Sequence, residues 1–437
     1  MKLLKSSKLM VLAGSLALAL AGCSGQSKSS TEENSGTTKE AAKDNPVTLV
    51  YSKGKDVTQG TTKMVEAFEK SHPNIKIKFR EMPSDTGQQH DAYVTAFNAK
   101  SSEIDVFDLD VVWPAEFAQA DYLLPLDRYI QKDNVDLNAY NQGALAASQF
   151  NGKQWTLPKF IDAGMLFYRT DLVKKDEVPK TWDDLIKQAK AKKGQGGTKF
   201  GYVMQAKQYE GLVCDAIEFV AAYGGKFIDE KNQVVVNSPE TIKGLKKLVE
   251  VAKSEFVPGN VTNFTEIESD QAFIEGQTPF LRNWPYEYAS ANDKSKSKIP
   301  GKVAIAPLPA GDKGSAAALG GWQAGINKNT KHPKEAWEFL KFMAGAEGQK
   351  IDAIYGGHAP TIASLFDDKE VLKANPTFAD KGFQAGLAAA VPRPVAANYQ
   401  EISQIIQIEV SKAIAGSETV EEAVKNMETQ MKAKVKA

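Results

Sequence analysis

Cysteine and histidine are scarce in this chain, with two cysteines and four histidines among 437 residues. No two histidines stand four residues apart, so the helical His-His pattern of a zinc or iron site is missing, and we expect no metal and no cofactor. Cys214 is the only cysteine beyond the first 23 residues, which excludes a disulfide within the main body. Its apolar neighbours predict a buried, unreactive thiol. The histidines are His72, His90, His332 and His358.

A surplus of charge is also missing, because 54 Lys and Arg residues balance 54 Asp and Glu residues. Proteins that bind nucleic acid need a net or local excess of positive charge, so we expect no nucleic-acid partner. Hydrophobic residues make up 42% of the chain and charged residues 25%, which is typical of a globular protein with real cores. The length allows two or three domains.

Only one long apolar run is present, and it lies at the N-terminus. Three lysines precede residues 9–20, which are almost wholly apolar but too short to span a membrane permanently. Leu20-Ala21-Gly22-Cys23 follows, and this small-residue site resembles the bacterial lipoprotein signal. The resemblance implies a signal peptide over 1–22 and a palmitate-type lipid on Cys23. An ordinary secretory signal followed by a chance cysteine remains the alternative.

The segment after Cys23 is rich in Ser, Thr, Lys, Glu and Gly and has no aromatic residue. Such a composition buries too little apolar surface to offset the cost of ordering, so 23–45 is predicted to be a lipidated, disordered tether. Stable membrane attachment needs two or more acyl chains, as lipoproteins carry. We therefore expect a body anchored on the outer face of the cell membrane, as in a Gram-positive cell.

Strand and helix patterns alternate from residue 47 onwards. Residues 47–51 and 75–79 predict strands around a helix that ends near His72-Pro73, and 104–110 predicts a third strand after a helix over about 88–100. This alternation indicates an α/β domain with mostly parallel strands. Further strands are expected at 164–168, 278–284 and 303–306. Further helices are expected to begin after Thr181 as the cap, at about 208, at about 239 and at about 401, and another is expected over 336–343.

Seven segments occur in an order that resembles the extracellular sugar-binding proteins of ABC importers, in particular the trehalose/maltose-binding branch of the maltose-binding superfamily. One of these motifs alone is a weak signal, whereas the ordered set is specific. The segments are 105–113 (DVFDLDVVW), 157–164 (LPKFIDAG), 167–169 (FYR), 282–286 (RNWPY), 319–322 (LGGW), 336–342 (AWEFLKF) and 391–394 (VPRP).

The resemblance implies an α/β, two-lobed periplasmic-binding-protein fold with discontinuous lobes, hinge strands and an interlobe cleft. We place the N-terminal lobe at 46–156 plus 302–345 and the C-terminal lobe at 157–301 plus 346–437. Ligands favour domain interfaces and the carboxyl ends of parallel strands, so a cleft site is expected on physical grounds as well.

Two carboxylates are candidates for binding sugar hydroxyls. Asp110 follows directly from a predicted strand, where a turn or helix-cap role is the alternative. Asp162 lies between apolar neighbours, where a lone charge is costly unless it is paired or faces a cleft. Charged acceptors form hydrogen bonds about twice as strong as neutral ones, which suits both residues to hydroxyl recognition.

Three aromatic residues are candidates for stacking on the faces of a sugar ring. Trp284 precedes a proline that keeps it extended, and Trp322 follows Gly320-Gly321, where the backbone at Gly321 can approach a ligand closely. Phe160 stands where the resemblance implies a tyrosine, so it offers a ring without a hydroxyl. Core packing is the alternative for each tryptophan. We assign the other four tryptophans to the core: Trp113, Trp155, Trp182 and Trp337.

Arg393 lies between two prolines, so its guanidinium is predicted to be preorganised for ligand hydroxyls, with a surface arginine as the alternative. The resemblance also implies an arginine before the second helix, but residues 85–90 contain none. We expect Gln89 to take that place with fewer donors.

The sequence therefore predicts a monomeric binding protein, without enzymatic activity, that takes up a maltose- or trehalose-like carbohydrate and delivers it to the transmembrane permease subunits of an ABC importer. Two alternatives stay open. One is a binding protein for another small polar solute, such as a peptide, polyamine or metal. The other is a surface glycosidase, since paired carboxylates in a cleft also suit glycoside hydrolysis.

Overall fold

The computed structural model describes residues 46–229, 231–394 and 398–435. The predicted signal peptide, Cys23 and the tether lie outside these residues. No helix in the described ranges is long and apolar enough to cross a bilayer.

Strands and helices alternate as predicted in the first part of the chain. The strands of the described residues are β1 (Val47–Gly54), β2 (Ile75–Met82), β3 (Val106–Asp110), β4 (Gln149–Phe150), β5 (Lys153–Gln154), β6 (Thr156–Ala163), β7 (Met165–Arg169), β8 (Phe280–Asn283), β9 (Val303–Pro307), β10 (Ala317–Ile326), β11 (Ala359–Pro360) and β12 (Ala390–Val391).

The α-helices of the same residues include the seven that were predicted from periodicity and capping. They are α1 (Gly60–Ser71), α2 (Thr86–Asn98), α3 (Pro114–Gln119), α4 (Asp127–Asp133), α5 (Gln142–Ala146), α6 (Trp182–Lys192), α7 (Glu210–Ala222), α8 (Pro239–Ala252), α9 (Glu266–Ile274), α10 (Glu287–Asn292), α11 (Pro333–Ala344), α12 (Ala346–Tyr355), α13 (Lys369–Ala374), α14 (Lys381–Ala388), α15 (Tyr399–Ala415) and α16 (Val420–Lys434). Thr181 caps α6 as expected, by accepting a hydrogen bond from the backbone N–H of Asp184.

Two sheets organise the molecule. The larger has the order β11-β6-β10-β3-β1-β2, with β12 beside β10, and the smaller has the order β8-β7-β9. Strand β1 is parallel to β2 and β3, as the alternating pattern predicts. The expectation of mostly parallel strands is wrong elsewhere, because β10 is antiparallel to β3 and β6, and the smaller sheet is antiparallel throughout.

The hydrophobic core is divided, and two strands run from one part to the other. Leu157 of β6 packs with the cluster around β1 and α11, whereas Ala163 at the other end of β6 packs with the cluster around β7 and α7. Strand β10 runs in the opposite direction, because its first residue, Ala317, packs with the cluster around β7 and α7 and its last residue, Ile326, packs with the cluster around β1 and α11. Because the two strands cross in opposite directions, they pair antiparallel. We call the part around β1, β2 and β3 the first lobe and the part around β7, β8 and β9 the second lobe.

The segment that contains β9 departs from the division predicted from the sequence. That division put 302–345 in the N-terminal lobe, but β9 pairs with β7 and its Val303 and Ile305 join the second-lobe cluster. We therefore place 303–316 with the second lobe. The other lobe boundaries stay predictions.

Candidate functional site

A cavity of about 170 Å³ is lined by residues of both lobes. It is about ten times larger than the space that one buried water needs, so it can hold a small molecule. All eight residues predicted from the sequence to bind a ligand line it: Gln89, Asp110, Phe160, Asp162, Trp284, Gly321, Trp322 and Arg393. The structure thus brings together residues that are up to 304 positions apart in the chain, from Gln89 to Arg393.

Three adjacent strands of the larger sheet position the centre of the cavity. Asp110 is the last residue of β3 and pairs with Trp322 on β10. Trp322 in turn pairs with Phe160 on β6, and Gly320 pairs with Asp162. The predicted carboxylates and rings therefore lie in neighbouring rungs of one sheet.

Gly321 is required by the backbone at this point. Its φ is +129°, in a region that residues with side chains rarely adopt, and a Cβ there would lie 2.5 Å from the carbonyl oxygen of Phe160. A register shift follows directly, between Trp322 and Gln323. The glycine therefore sets how Trp322 enters the cavity wall.

Arg393 is engaged by the protein itself. Its Nη1 donates to Oδ2 of Asp110 at 3.0 Å and to Oε1 of Glu210 at 2.8 Å, and its Nη2 donates to the other oxygen of Asp110. Asp110 belongs to the first lobe and Glu210, the first residue of α7, to the second. Arg393 is only 4% exposed. The two Nη atoms that the sequence analysis assigned to ligand hydroxyls thus join carboxylates of the two lobes.

Glu210 is a site residue that the sequence analysis missed. Tyr399 and Ser403 donate hydrogen bonds to it from α15. Burial raises the pKa of Glu210, and the charge of Arg393 opposes that rise. No motif marks this glutamate, because its partners lie at 393–403, more than 180 residues further along the chain.

Asp162 presents a buried carboxylate oxygen without a partner. The residue is 5% exposed, and its Oδ1 accepts no hydrogen bond from the described residues. Burial raises the pKa of the Asp162 carboxyl to about 7. The salt-bridge alternative weighed from the sequence is not realised within the described part of the chain. Asp162 therefore has hydrogen-bonding capacity to spare.

Each aromatic ring of the site is held by a protein group. The Arg282 guanidinium lies over the Trp284 ring at 4.0 Å from its centroid, and the Trp284 indole donates to Glu266 at 3.2 Å. Phe160 stacks on His358 with centroids 4.0 Å apart. Trp322 meets Trp113 edge-on at 5.7 Å. These contacts fix the rings before any ligand arrives.

The remaining tryptophans follow the sequence analysis with one difference. Trp113, Trp182 and Trp337 are buried in the core, as predicted. Trp155 is only half-buried, and its indole donates to the carbonyl of Phe150. Cys214 is buried as predicted, and burial raises the pKa of its thiol.

Gln89 is buried on α2 and lines the cavity. Its Nε2 donates to the Tyr93 hydroxyl at 3.2 Å. The amide is therefore already held within the first lobe, and its place as substitute for an arginine stays a prediction.

Cationic residues of the cavity were also missed from the sequence. Lys53 is the penultimate residue of β1 and Asp56 follows the strand, with Nζ of Lys53 3.6 Å from Oδ2 of Asp56. Nδ1 of His358 lies 3.0 Å from Oδ1 of Asp352. Burial opposes the charged form of His358, but the Asp352 carboxylate raises its pKa above the ordinary value. Lys53 and Asp56 lie at the carboxyl end of a parallel strand, so the reasoning that found Asp110 could have found them.

An ion pair joins the two lobes at the mouth of the cavity. Nζ of Lys207 lies 2.8 Å from Oδ2 of Asp85, whose other oxygen caps α2 of the first lobe. The Lys207 backbone is bonded to Phe264 of the second lobe. We call Lys207 and Asp85 the rim pair. The rim pair and Arg393 are therefore two contacts between the lobes.

Comparisons with known proteins agree with this architecture. The family model for bacterial extracellular solute-binding proteins matches residues 52–350. A probable ABC transporter-binding protein of Deinococcus radiodurans is 35% identical over 379 residues, which cover 84% of this chain and 89% of that protein. The arabinooligosaccharide-binding protein of Bacillus subtilis is 25% identical over 377 residues, covering 84% and 82%. The solved structure of maltose-bound MalE3 from T. maritima superposes with a TM-score of 0.83 at 36% identity, covering 89% of this chain and 99% of that one.

Proposed function

The chain belongs to the bacterial extracellular solute-binding protein family, and on that premise we propose that it is the sugar-binding component of an ABC importer. Its ligand is a maltose-like disaccharide or a short oligosaccharide captured outside the cell. The protein binds and does not catalyse.

The observation that carries this proposal is the composition of the cavity wall. Flat rings at Phe160, Trp284 and Trp322 suit the C–H faces of a sugar, and the carboxylate of Asp162 suits its hydroxyls. The similarity to a maltose-bound protein at 36% identity points to the same class of ligand.

Capture follows from the two crossing strands. Among the described residues, β6 and β10 are the long strands of the larger sheet that contribute to the cores of both lobes. Bending in these two strands therefore moves the lobes relative to each other with little repacking of either core. A sugar that contacts both walls shifts the population toward the closed form. Arg393 between Asp110 and Glu210, and the rim pair, then add protein–protein contacts to that form.

The glycosidase alternative is not retained. Asp110, which would be one of its two carboxylates, is held in an ion pair with Arg393, and the family consists of solute-binding proteins.

The test is isothermal titration of the purified body with maltose, trehalose, maltotriose and arabinooligosaccharides. We expect saturable heat with at least one α-linked glucose oligosaccharide at a stoichiometry of one. Absence of heat with every sugar would contradict the proposal. The variant Asp162→Asn, which keeps the shape of the side chain, should weaken the binding that is found.

We further propose that Cys23 is lipidated and that 23–45 tethers a monomeric body to the outer face of the membrane, beside the permease subunits. The sequence pattern Leu20-Ala21-Gly22-Cys23 supports this. A tether raises the effective concentration of loaded protein at the permease. Cys23→Ala should release the protein into the medium of a Gram-positive host. Retention on membranes after a salt wash would contradict the anchor.

A further inference from the structure

The cations that line the cavity are matched by carboxylates of the protein. Arg393 faces two carboxylates, those of Asp110 and Glu210. Nε of Arg393 has no partner among the described residues. The single positive charge of the guanidinium nevertheless faces two negative charges, one from each carboxylate. Lys53 lies near Asp56 and donates to the hydroxyl of Thr61.

The other two cationic residues of the wall are no more available to a ligand anion. His358 is held at 3.0 Å from both oxygens of Asp352 and lies flat on Phe160. Lys55 is exposed at the mouth, where its charge is screened by solvent. An incoming carboxylate or phosphate would therefore meet buried cations whose charge is already balanced by carboxylates of the protein, although Nε of Arg393 has no partner among the described residues.

Carboxylates outnumber cations in the wall. The lining residues include six acidic side chains against three lysines and arginines and one histidine: Asp56, Asp108, Asp110, Asp162, Glu210 and Glu266 against Lys53, Lys55, Arg393 and His358. Five of the six acids have donors within the protein; Asp108, for example, accepts from Tyr51 and Lys159, and Glu266 from Tyr209 and Trp284. Asp162 is the exception, because its buried Oδ1 accepts no hydrogen bond from any residue that the structure describes.

From this imbalance we infer that the cavity selects its sugar by charge: Asp162 favours a saccharide that carries an ammonium group in place of one hydroxyl, and the cavity rejects acidic saccharides. The inference rests on the proposed function and names the ligand class within it.

The chemistry of Asp162 explains the preference. A carboxylate taken out of water is destabilised, as the pKa of about 7 reflects, and an ammonium at hydrogen-bond distance restores both the lost charge partner and the lost donor. A sugar hydroxyl restores only the donor.

The experiment compares three ligand sets by isothermal titration at pH 7: maltose, its monoamino derivatives with one hydroxyl replaced at each position, and the corresponding uronic acids. For the wild-type protein, we expect at least one monoamino derivative to bind about tenfold tighter than maltose, since a charge-assisted hydrogen bond replaces a neutral one. The uronic acids should bind at least about tenfold more weakly than maltose, because their carboxylate is repelled by the carboxylates of the cavity wall.

Asp162→Asn removes the charge and keeps the shape, so in this variant the preferred monoamino derivative and maltose should bind within about threefold of each other. Asp183→Asn is the matched control, because Asp183 is an exposed carboxylate on α6 outside the cavity; it should keep the wild-type preference. The wild-type comparison stands alone if Asp162→Asn fails to fold.

The outcomes separate the two proposals. If maltose binds the wild type but no monoamino derivative binds tighter, or the uronic acids bind as well as maltose, the charge selection is wrong and the proposed function stands. If amine preference survives in Asp162→Asn, Asp162 is not its source, which also overturns the inference. If no member of the three sets binds, the proposed function is contradicted and the inference falls with it.

Discussion

Replacing Arg393 with glutamine should destabilise the fold, because two buried carboxylates then lose the cation that pairs with both of them. Asp110 and Glu210 are both nearly fully buried, and Arg393 contacts each of them through Nη1. Tyr399 and Ser403 would still donate to Glu210, whereas the side chain of Asp110 would keep only a long backbone contact with Val112.

Removing one partner of a buried ion pair costs about 3–5 kcal/mol. For a folded body of this size, that loss lowers the thermal midpoint by about 4–6 °C. The deficit should shrink in acid. The charge of Arg393 opposes the effect of burial on Glu210, so without the guanidinium the pKa of the Glu210 carboxyl in the folded state rises further above the unfolded value. The cost is therefore present above pH of about 4 and disappears as the pH falls below the unfolded pKa.

The assay is thermal and denaturant unfolding of Arg393→Gln and the wild type between pH 4 and pH 8. Arg128→Gln is the matched control, since Arg128 is exposed on α4 and should change the unfolding free energy by less than about 0.5 kcal/mol. If Arg393→Gln costs less than about 1 kcal/mol at pH 7, or if its deficit grows in acid, the assignment of Arg393 as a buried link between the lobes is wrong.

Three further predictions concern the cavity and its rim. Trp322→Ala should weaken sugar binding by about tenfold through lost stacking, while Trp155→Ala, outside the cavity, should not, as titration of both variants would reveal. Lys207→Gln removes the rim pair, whose lysine is 35% exposed. This variant should bind sugar at most about fivefold more weakly than the wild type, and the difference should be smaller in high salt. The control is Lys247→Gln, whose lysine has its partners inside the second lobe, and it should bind sugar as the wild type does. Asp162→Asn should stabilise the ligand-free protein above pH 7 by about 4 kcal/mol and leave its unfolding free energy unchanged below pH of about 4, as unfolding experiments would measure. The folded carboxyl keeps its proton up to about pH 7 while the unfolded one releases it near pH 4, so rising pH favours unfolding of the wild type in that window.

Local patterns were enough to predict most of the elements that build the site. The strand-helix alternation up to Asp110 is visible as a change of hydrophobic period, and Thr181 marks the start of α6 by its cap. The ordered motifs contain seven of the eight candidate residues that line the cavity, and Gln89 lies outside them. In each case the signal lies within a few neighbouring residues or in a recognisable motif.

Long-range pairing could not be predicted in the same way. Strand β9 has the same apolar pattern whichever lobe it joins, and only its pairing with β7 decides. The partners of Arg393 lie 283 and 183 residues away, so no spacing rule links them. Flanking prolines predict a stiff backbone at Arg393, but stiffness alone does not say whether the guanidinium contacts a ligand or a carboxylate.

The measurement that tests the central claim most directly is a diffraction experiment on crystals grown with maltose. The account predicts electron density for one sugar between Trp284 and Trp322, with a hydroxyl within hydrogen-bond distance of Oδ1 of Asp162. Sugar density at any other place, or a cavity without density at a maltose concentration that saturates binding in solution, would contradict it.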